Sequence, residues 1–216
     1  FYIRSFSYSD GKIVYSCGAE LFILDLENKS ENKLDLKVNS QFLQAKERFI
    51  DTEENLQDFD LTTDAQELLI NSRGKLFFMP PWSGGPIRLG EEAARYKNPK
   101  IVWDDESEAV CAFKLDDENE EHLVTFELDD YREKEIVKDQ KWGKIFETAS
   151  NPEKSLLAVT NNRNELFLVN IEKNKVEVID KSQNDHISNI KWSNDGRFLT
   201  YHKRENATDF IIKIYD

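Results

Sequence analysis

Ser9-Asp10-Gly11-Lys12 is a polar turn, Ile13-Val14-Tyr15-Ser16 is an apolar strand, and Gly18-Ala19 turns the chain into a second one, Glu20-Leu21-Phe22-Ile23-Leu24. The same order of turn, strand and strand recurs outward along the chain. Its later turns are Thr63-Asp64-Ala65-Gln66, Asp105-Glu106-Ser107-Glu108, Pro152-Glu153-Lys154-Ser155 and Asn194-Asp195-Gly196-Arg197. With Asp10, Asp64, Glu106, Glu153 and Asp195 as equivalent points, the units are spaced 54, 42, 47 and 42 residues apart. A period of roughly 40–50 residues in an all-strand pattern is the signature of a β-propeller, with one four-stranded blade per period.

The expected fold is therefore all-β, with about five blades at 1–55, 56–96, 97–140, 141–184 and 185–216. Each unit reads as strands a to d. Strand a precedes the turn, b and c carry the apolar runs, and d is short and charged, as in Lys33-Leu34, Pro86–Leu89, Glu135–Val137 and Val176–Ile179. Strands covered by neighbours on both faces read as apolar runs, whereas an outer edge carries charge against aggregation. Asn71–Lys75 and Asn161–Glu165 supply Gly or Asn for b–c hairpins, where a positive φ is needed. The first unit holds an insertion over residues 35–55, with Leu36, Val38, Phe42, Phe49 and Ile50 alternating along it. The last unit ends after its third strand, and neither chain end offers a spare strand. The expectation is an arc of a larger propeller in a longer parent protein, consistent with a chain that opens on Phe1-Tyr2-Ile3.

The chain has 216 residues, 39% hydrophobic and 12% aromatic, enough for a substantial core. Its net charge of −13 repels phosphate backbones, so no nucleic-acid partner is expected. The block Asp116-Asp117-Glu118-Asn119-Glu120-Glu121 reads as a solvated loop tip, since it lacks the glycine and alternating carboxylates of a calcium loop. Cys17 and Cys111 lie in non-adjacent units, too far apart for a disulfide. As buried free thiols they suit a reducing, cytoplasmic compartment. No signal peptide or membrane span is visible.

The residues that could carry chemistry read as structural. A nucleophile needs a base within hydrogen-bond reach. His122, His186 and His202 have no nucleophile-type turn nearby, and none has metal-ligand spacing to another His or Cys. Gly84-Gly85 lies between two strands and is not a phosphate loop. Trp103 and Trp192 end equivalent a strands, which points to packing between blades. Trp82 and Trp142 lie in connections and read as surface contact residues. No catalytic, cofactor-binding or metal-binding residue is expected.

Several stretches resemble the propeller region in the N-terminal half of tricorn-type proteases, a seven-bladed propeller. They are Ile3–Ser7, Gly18–Leu26, Lys33–Val38 with the insertion after it through Arg48-Phe49-Ile50-Asp51, Ser72–Pro80 and Gly84–Leu89. The likeness is specific over residues 1–90 and generic over 91–216. The resemblance implies a non-catalytic wall of a tunnel that admits or filters peptides. PDZ-like and serine peptidase domains would lie downstream in the parent, and the subunits would assemble into a ring. A propeller of a prolyl-oligopeptidase-like enzyme, with Gly-x-Ser-x-Gly downstream, is one alternative. A non-enzymatic scaffold of the Trp-Asp-repeat or TolB-like kind is the other.

Overall fold

The computed structural model describes residues 2–37, 39, 49–104, 107–206 and 208–216. Among them every regular element is a strand. The chain divides into two compact units, Phe1–Ile50 and Asp51–Asp216. Val38, the Phe42–Lys46 core of the insertion, Arg48 and the turn residues Asp105 and Glu106 lie outside the described residues.

In the first unit, β1 (Ile3–Ser9), β2 (Lys12–Cys17), β3 (Glu20–Asp25) and β4 (Ser30–Leu34) form one antiparallel sheet in chain order. Ser9 pairs with Lys12 and Cys17 with Glu20, so two residues make each hairpin loop. Asp10 and Gly11 have φ of 47° and 74°, and Gly18 and Ala19 have 60° and 68°. Two consecutive left-handed residues are what a two-residue type I′ hairpin requires, because its twist matches that of the strands.

The second unit stacks four antiparallel sheets. They are β5–β8 (Leu56–Leu61, Leu68–Ser72, Lys75–Met79, Ile87–Leu89), β9–β12 (Arg95–Asp104, Ser107–Leu115, Glu121–Glu127, Glu133–Glu135), β13–β16 (Ile145–Ser150, Leu156–Asn161, Glu165–Asn170, Lys175–Lys181) and β17–β19 (Ser188–Trp192, Leu199–Arg204, Phe210–Tyr215). The core is three apolar slabs, one between each consecutive pair of sheets. β10 shows why its sequence is a continuous apolar run. Val110 and Ala112 enter the slab shared with β5–β8, while Ala109, Cys111 and Phe113 enter the slab shared with β13–β16. Successive side chains leave a strand on opposite faces, so a strand packed on both faces has no polar side. β14 repeats this, sending Leu157 and Val159 one way and Ala158 the other.

Two strand positions differ from the sequence expectation. β9 begins at Arg95, so the division expected between residues 96 and 97 falls within a strand. Its polar start, with Asn98 at φ 50° before Pro99, hides the strand pattern. The outer strand of that sheet is Glu133–Glu135, not Glu135–Val137. Ile136 instead turns into the slab, where it is buried, and Val137 has φ 51°. Trp142 is a third difference. It is 2% exposed and packs edge-on between Phe113 and Phe167, with ring centroids 5.3 and 5.5 Å away. Trp82, by contrast, is 91% exposed.

Candidate functional site

In the Asp51–Asp216 unit the first strands of the sheets lie side by side, β5 next to β9, β9 next to β13 and β13 next to β17. Each slips register once against its hairpin partner, and each time the first strand carries one extra residue. Leu56 and Asp58 face consecutive residues Ser72 and Asn71. Lys97 and Lys100 face Phe113 and Cys111, Ile145 and Thr148 face Asn161 and Val159, and Ser188 and Lys191 face His202 and Thr200. In the other unit, Ile3 and Ser5 face Cys17 and Ser16. One extra residue bends a strand, raises its twist and re-aims its side chains.

At the bulges stand Gln57, Asn98, Phe146 and Asn189. Asn98 and Asn189 adopt φ of 50° and 53°, a region that asparagine tolerates better than most residues. Gln57 accepts the Gly74 N–H at 2.8 Å, and Asn98 Nδ2 donates to the Phe146 carbonyl at 3.2 Å. The row of first strands thus carries side-chain amides and, at Phe146, a phenyl ring 40% exposed.

Carboxylates brace one sheet to the next. Asp60 Oδ2 accepts the Ile101 N–H at 2.8 Å, and Glu147 Oε2 accepts the Ile190 N–H at 3.3 Å. Glu108 Oε1 accepts from both the N–H and the hydroxyl of Thr63, at 2.8 and 2.6 Å. Within the β9–β12 sheet, Lys114 sits between Glu133 and Glu91 of the preceding connection, and the Tyr96 hydroxyl donates to the same Glu133. Glu121 pairs with Lys97 and accepts the Ile145 N–H at 2.9 Å. Burial raises its carboxyl pKa, against the pull of Lys97. Glu121 is only 8% exposed, so the acidic block is not wholly a solvated tip. Asp116 does shape a turn, accepting the N–H groups of Glu118 and Glu120.

The histidines are held apart. His122 lies between Glu135 at 2.8 Å and Asp116 at 3.1 Å. Burial lowers its pKa, but the hydrogen bonds to the two carboxylates outweigh this and raise it. His186 bonds Asp185 and packs edge-on against Phe146, while His202 Nδ1 bonds the Asn189 amide. No group of three or more His, Cys, Asp or Glu among the described residues is placed to hold a metal. Cys111 is buried, and burial pushes its thiol up to about 12, whereas Cys17 is only half-buried. Trp103 donates its indole N–H to the Pro152 carbonyl at 2.8 Å, and Trp192 to that of Ala149 at 3.1 Å. Both indoles therefore reach the β13–β16 sheet from its two sides.

Sequence reading treated Asn71 and Asn161 only as hairpin residues, yet both are buried, as is Asn151. Asn161 Nδ2 donates to the Trp142 carbonyl, and Asn71 Nδ2 to that of Tyr96. The available signal for Asn71 and Asn161 was their recurrence at the end of strand b, two residues before Arg73 and Arg163. No helix among the described residues is long and apolar enough to cross a membrane.

A family model described as the tricorn protease second β-propeller domain matches residues 56–216. The match thus includes residues 91–216, where the sequence units looked generic. The chain is 27% identical, over 99% of its length, to a tricorn-like protease C-terminal subunit of Sulfurisphaera tokodaii, and covers 24% of that protein. It is 26% identical to a tricorn protease homolog of Saccharolobus solfataricus, over 99% of this chain and 19% of that one. The solved tricorn protease structure superposes on all of this chain with a TM-score of 0.65 at 19% identity, using 21% of its own chain. The chain therefore spans about a quarter to a fifth of the length of the relatives it matches, and the sheets described above are blades of a β-propeller.

Proposed function

The chain belongs to the tricorn protease second β-propeller domain family, and on that premise we propose that it is a non-catalytic tunnel wall of a tricorn-like serine peptidase. In this reading the wall admits or filters peptides on their way to catalytic groups elsewhere in a longer, cytoplasmic parent. PDZ-like and peptidase domains lie in that parent, and its subunits assemble into a larger ring. The family match over residues 56–216 carries the reading. The row of bulged inner strands supports it, because its amide side chains and the Phe146 ring suit extended peptide, which displays unpaired backbone groups.

The test obstructs that row in the full-length protein. Phe146→Cys is made in a background in which Cys17 and every reactive cysteine outside this segment are replaced by serine, and is coupled to maleimides of increasing size. Cys111 stays unreacted, since its thiol is buried and its pKa is about 12. Hydrolysis of long peptides is expected to fall severalfold as the adduct grows, with cleavage of a tripeptide amide unchanged. Long-peptide hydrolysis that ignores adduct size overturns the tunnel. A full-length protein that cleaves no peptide overturns the peptidase reading itself.

A further inference from the structure

A surface cavity of about 530 Å³ opens between the β9–β12 and β13–β16 sheets, a volume in the usual range for ligand sites, roughly 300–1,000 Å³. Trp103, at the end of β9, forms one side. The turn before β14 contributes Glu153, Lys154 and the first strand residue Leu156, and the segment after β15 contributes Glu172. The Trp103 indole N–H is tied to Pro152, next to Glu153, so the ring is pinned against the turn that supplies the charges.

The charges are unbalanced. Neither the Glu153 nor the Glu172 carboxylate has a hydrogen-bond or ion-pair partner among the described residues. This contrasts with Asp60, Glu108, Glu121 and Glu133, each committed to hydrogen bonds within the fold. Lys154 also lines the cavity as its one cation among the described residues, and Arg197 first, with Lys154 as a lesser cause, holds the Asp216 carboxyl low. An anion entering here meets two free carboxylates, and a neutral apolar group leaves them unused. A guanidinium or ammonium satisfies both features at once, since it is attracted to an aromatic face and hydrogen-bonds carboxylates.

We propose that this cavity is a subsite for an arginine or lysine side chain of a peptide, laid against Trp103 between Glu153 and Glu172. It rests on the peptide-handling reading above, which supplies the source of the cation. The subsite makes the blade selective for basic sequences before any catalytic group is reached.

The experiment uses the full-length protein with ¹³C-methyl leucine and follows the Leu156 methyl signals. It titrates an end-blocked arginine peptide, its neutral citrulline counterpart, and agmatine. The arginine peptide is expected to shift Leu156 and the citrulline peptide to leave it in place. Glu172→Gln, which breaks no contact within the described fold, is expected to weaken the arginine peptide about threefold, the scale of one exposed charge pair. Equal shifts from citrulline, or an unchanged affinity in Glu172→Gln, overturn the subsite. Agmatine binding as tightly as the peptide assigns the cavity to free amines and overturns the peptide source. Total peptide binding is measured in parallel by fluorescence anisotropy. Binding without a Leu156 shift removes the subsite and leaves the peptide-handling reading, whereas no peptide binding at all removes both.

Discussion

Gly196 sits at φ 61°, and a Cβ built on it would lie 2.4 Å from Asn151 Oδ1. That oxygen is already in use. It accepts the N–H groups of Glu153 and Lys154 at 2.9 Å each, while Asn151 Nδ2 donates to the Gly196 carbonyl. One small residue in the fifth sheet therefore lets a buried amide organise a turn in the fourth. Gly11 has the same left-handed backbone, φ 74°, but open space where its Cβ would go. Gly11→Ala is expected to cost about 1 kcal/mol, the strain of the left-handed conformation alone. Gly196→Ala is expected to cost about 3 kcal/mol, because the Asn151 hydrogen bonds are also lost. Urea unfolding of the two variants checks the difference, and equal losses would remove the role given to Asn151. The sequence marks both turns with the same Asp-Gly pair. Nothing local separates them, since the neighbour that matters lies 45 residues away.

At the level of the elements, parity along the strands was legible and bracing between sheets was not. The apolar runs of β10 and β14 follow from burial on both faces, which a single sequence displays directly. Asp180, in contrast, looks like one more outer-strand charge. In the structure it is the last but one residue of β16 and reaches the next sheet, accepting from Tyr201 Oη at 2.8 Å, Lys203 Nζ at 2.5 Å and Lys213 Nζ at 3.3 Å. Burial alone would raise its pKa, but these donors outweigh it and bring the carboxyl down to about 2. A carboxyl lowered on folding contributes stability that is complete above its ordinary value of 3.8 and is lost as pH falls through about 2. Asp180→Asn is therefore expected to lose about 2 kcal/mol at neutral pH, the scale of hydrogen bonds to a charged group. The gap should close as acid protonates the wild-type carboxyl. Unfolding midpoints across this pH range test it, and a gap that stays constant into acid would mean the charge contributes nothing. Trp142 was misread for a related reason. Its place in a connection suggested the surface, and only the arrangement of Phe113 and Phe167 makes that connection part of a slab.

For the whole molecule the dominant electrostatic fact is the surplus of 42 acidic over 29 basic residues. The braces consume charge in half-buried settings, where salt screens weakly, so the exposed surplus is the part that responds to ionic strength. Raising sodium chloride from low to about 0.5 M shortens the Debye length to a few ångströms and is expected to raise Tm by several degrees. A fall in Tm would show instead that exposed attractive pairs outweigh the repulsion. By itself the sequence determined the repeat, the four-strand unit and the hairpin turns. Each of these is written in local periodicity or in residue type, and local interactions act within a few positions along the chain. Only the tertiary structure decided the extra residue in every first strand, the carboxylate and asparagine braces, the burial of Trp142 and the cavity beside Trp103. The extra residues depend on the register between neighbouring strands of one sheet, and the rest on atoms brought together from different elements, at separations of 40 residues or more for Asp60 with Ile101 and Trp103 with Pro152. No window along the sequence contains both partners of such a contact, so neither its geometry nor its charge balance could be read before the sheets were stacked.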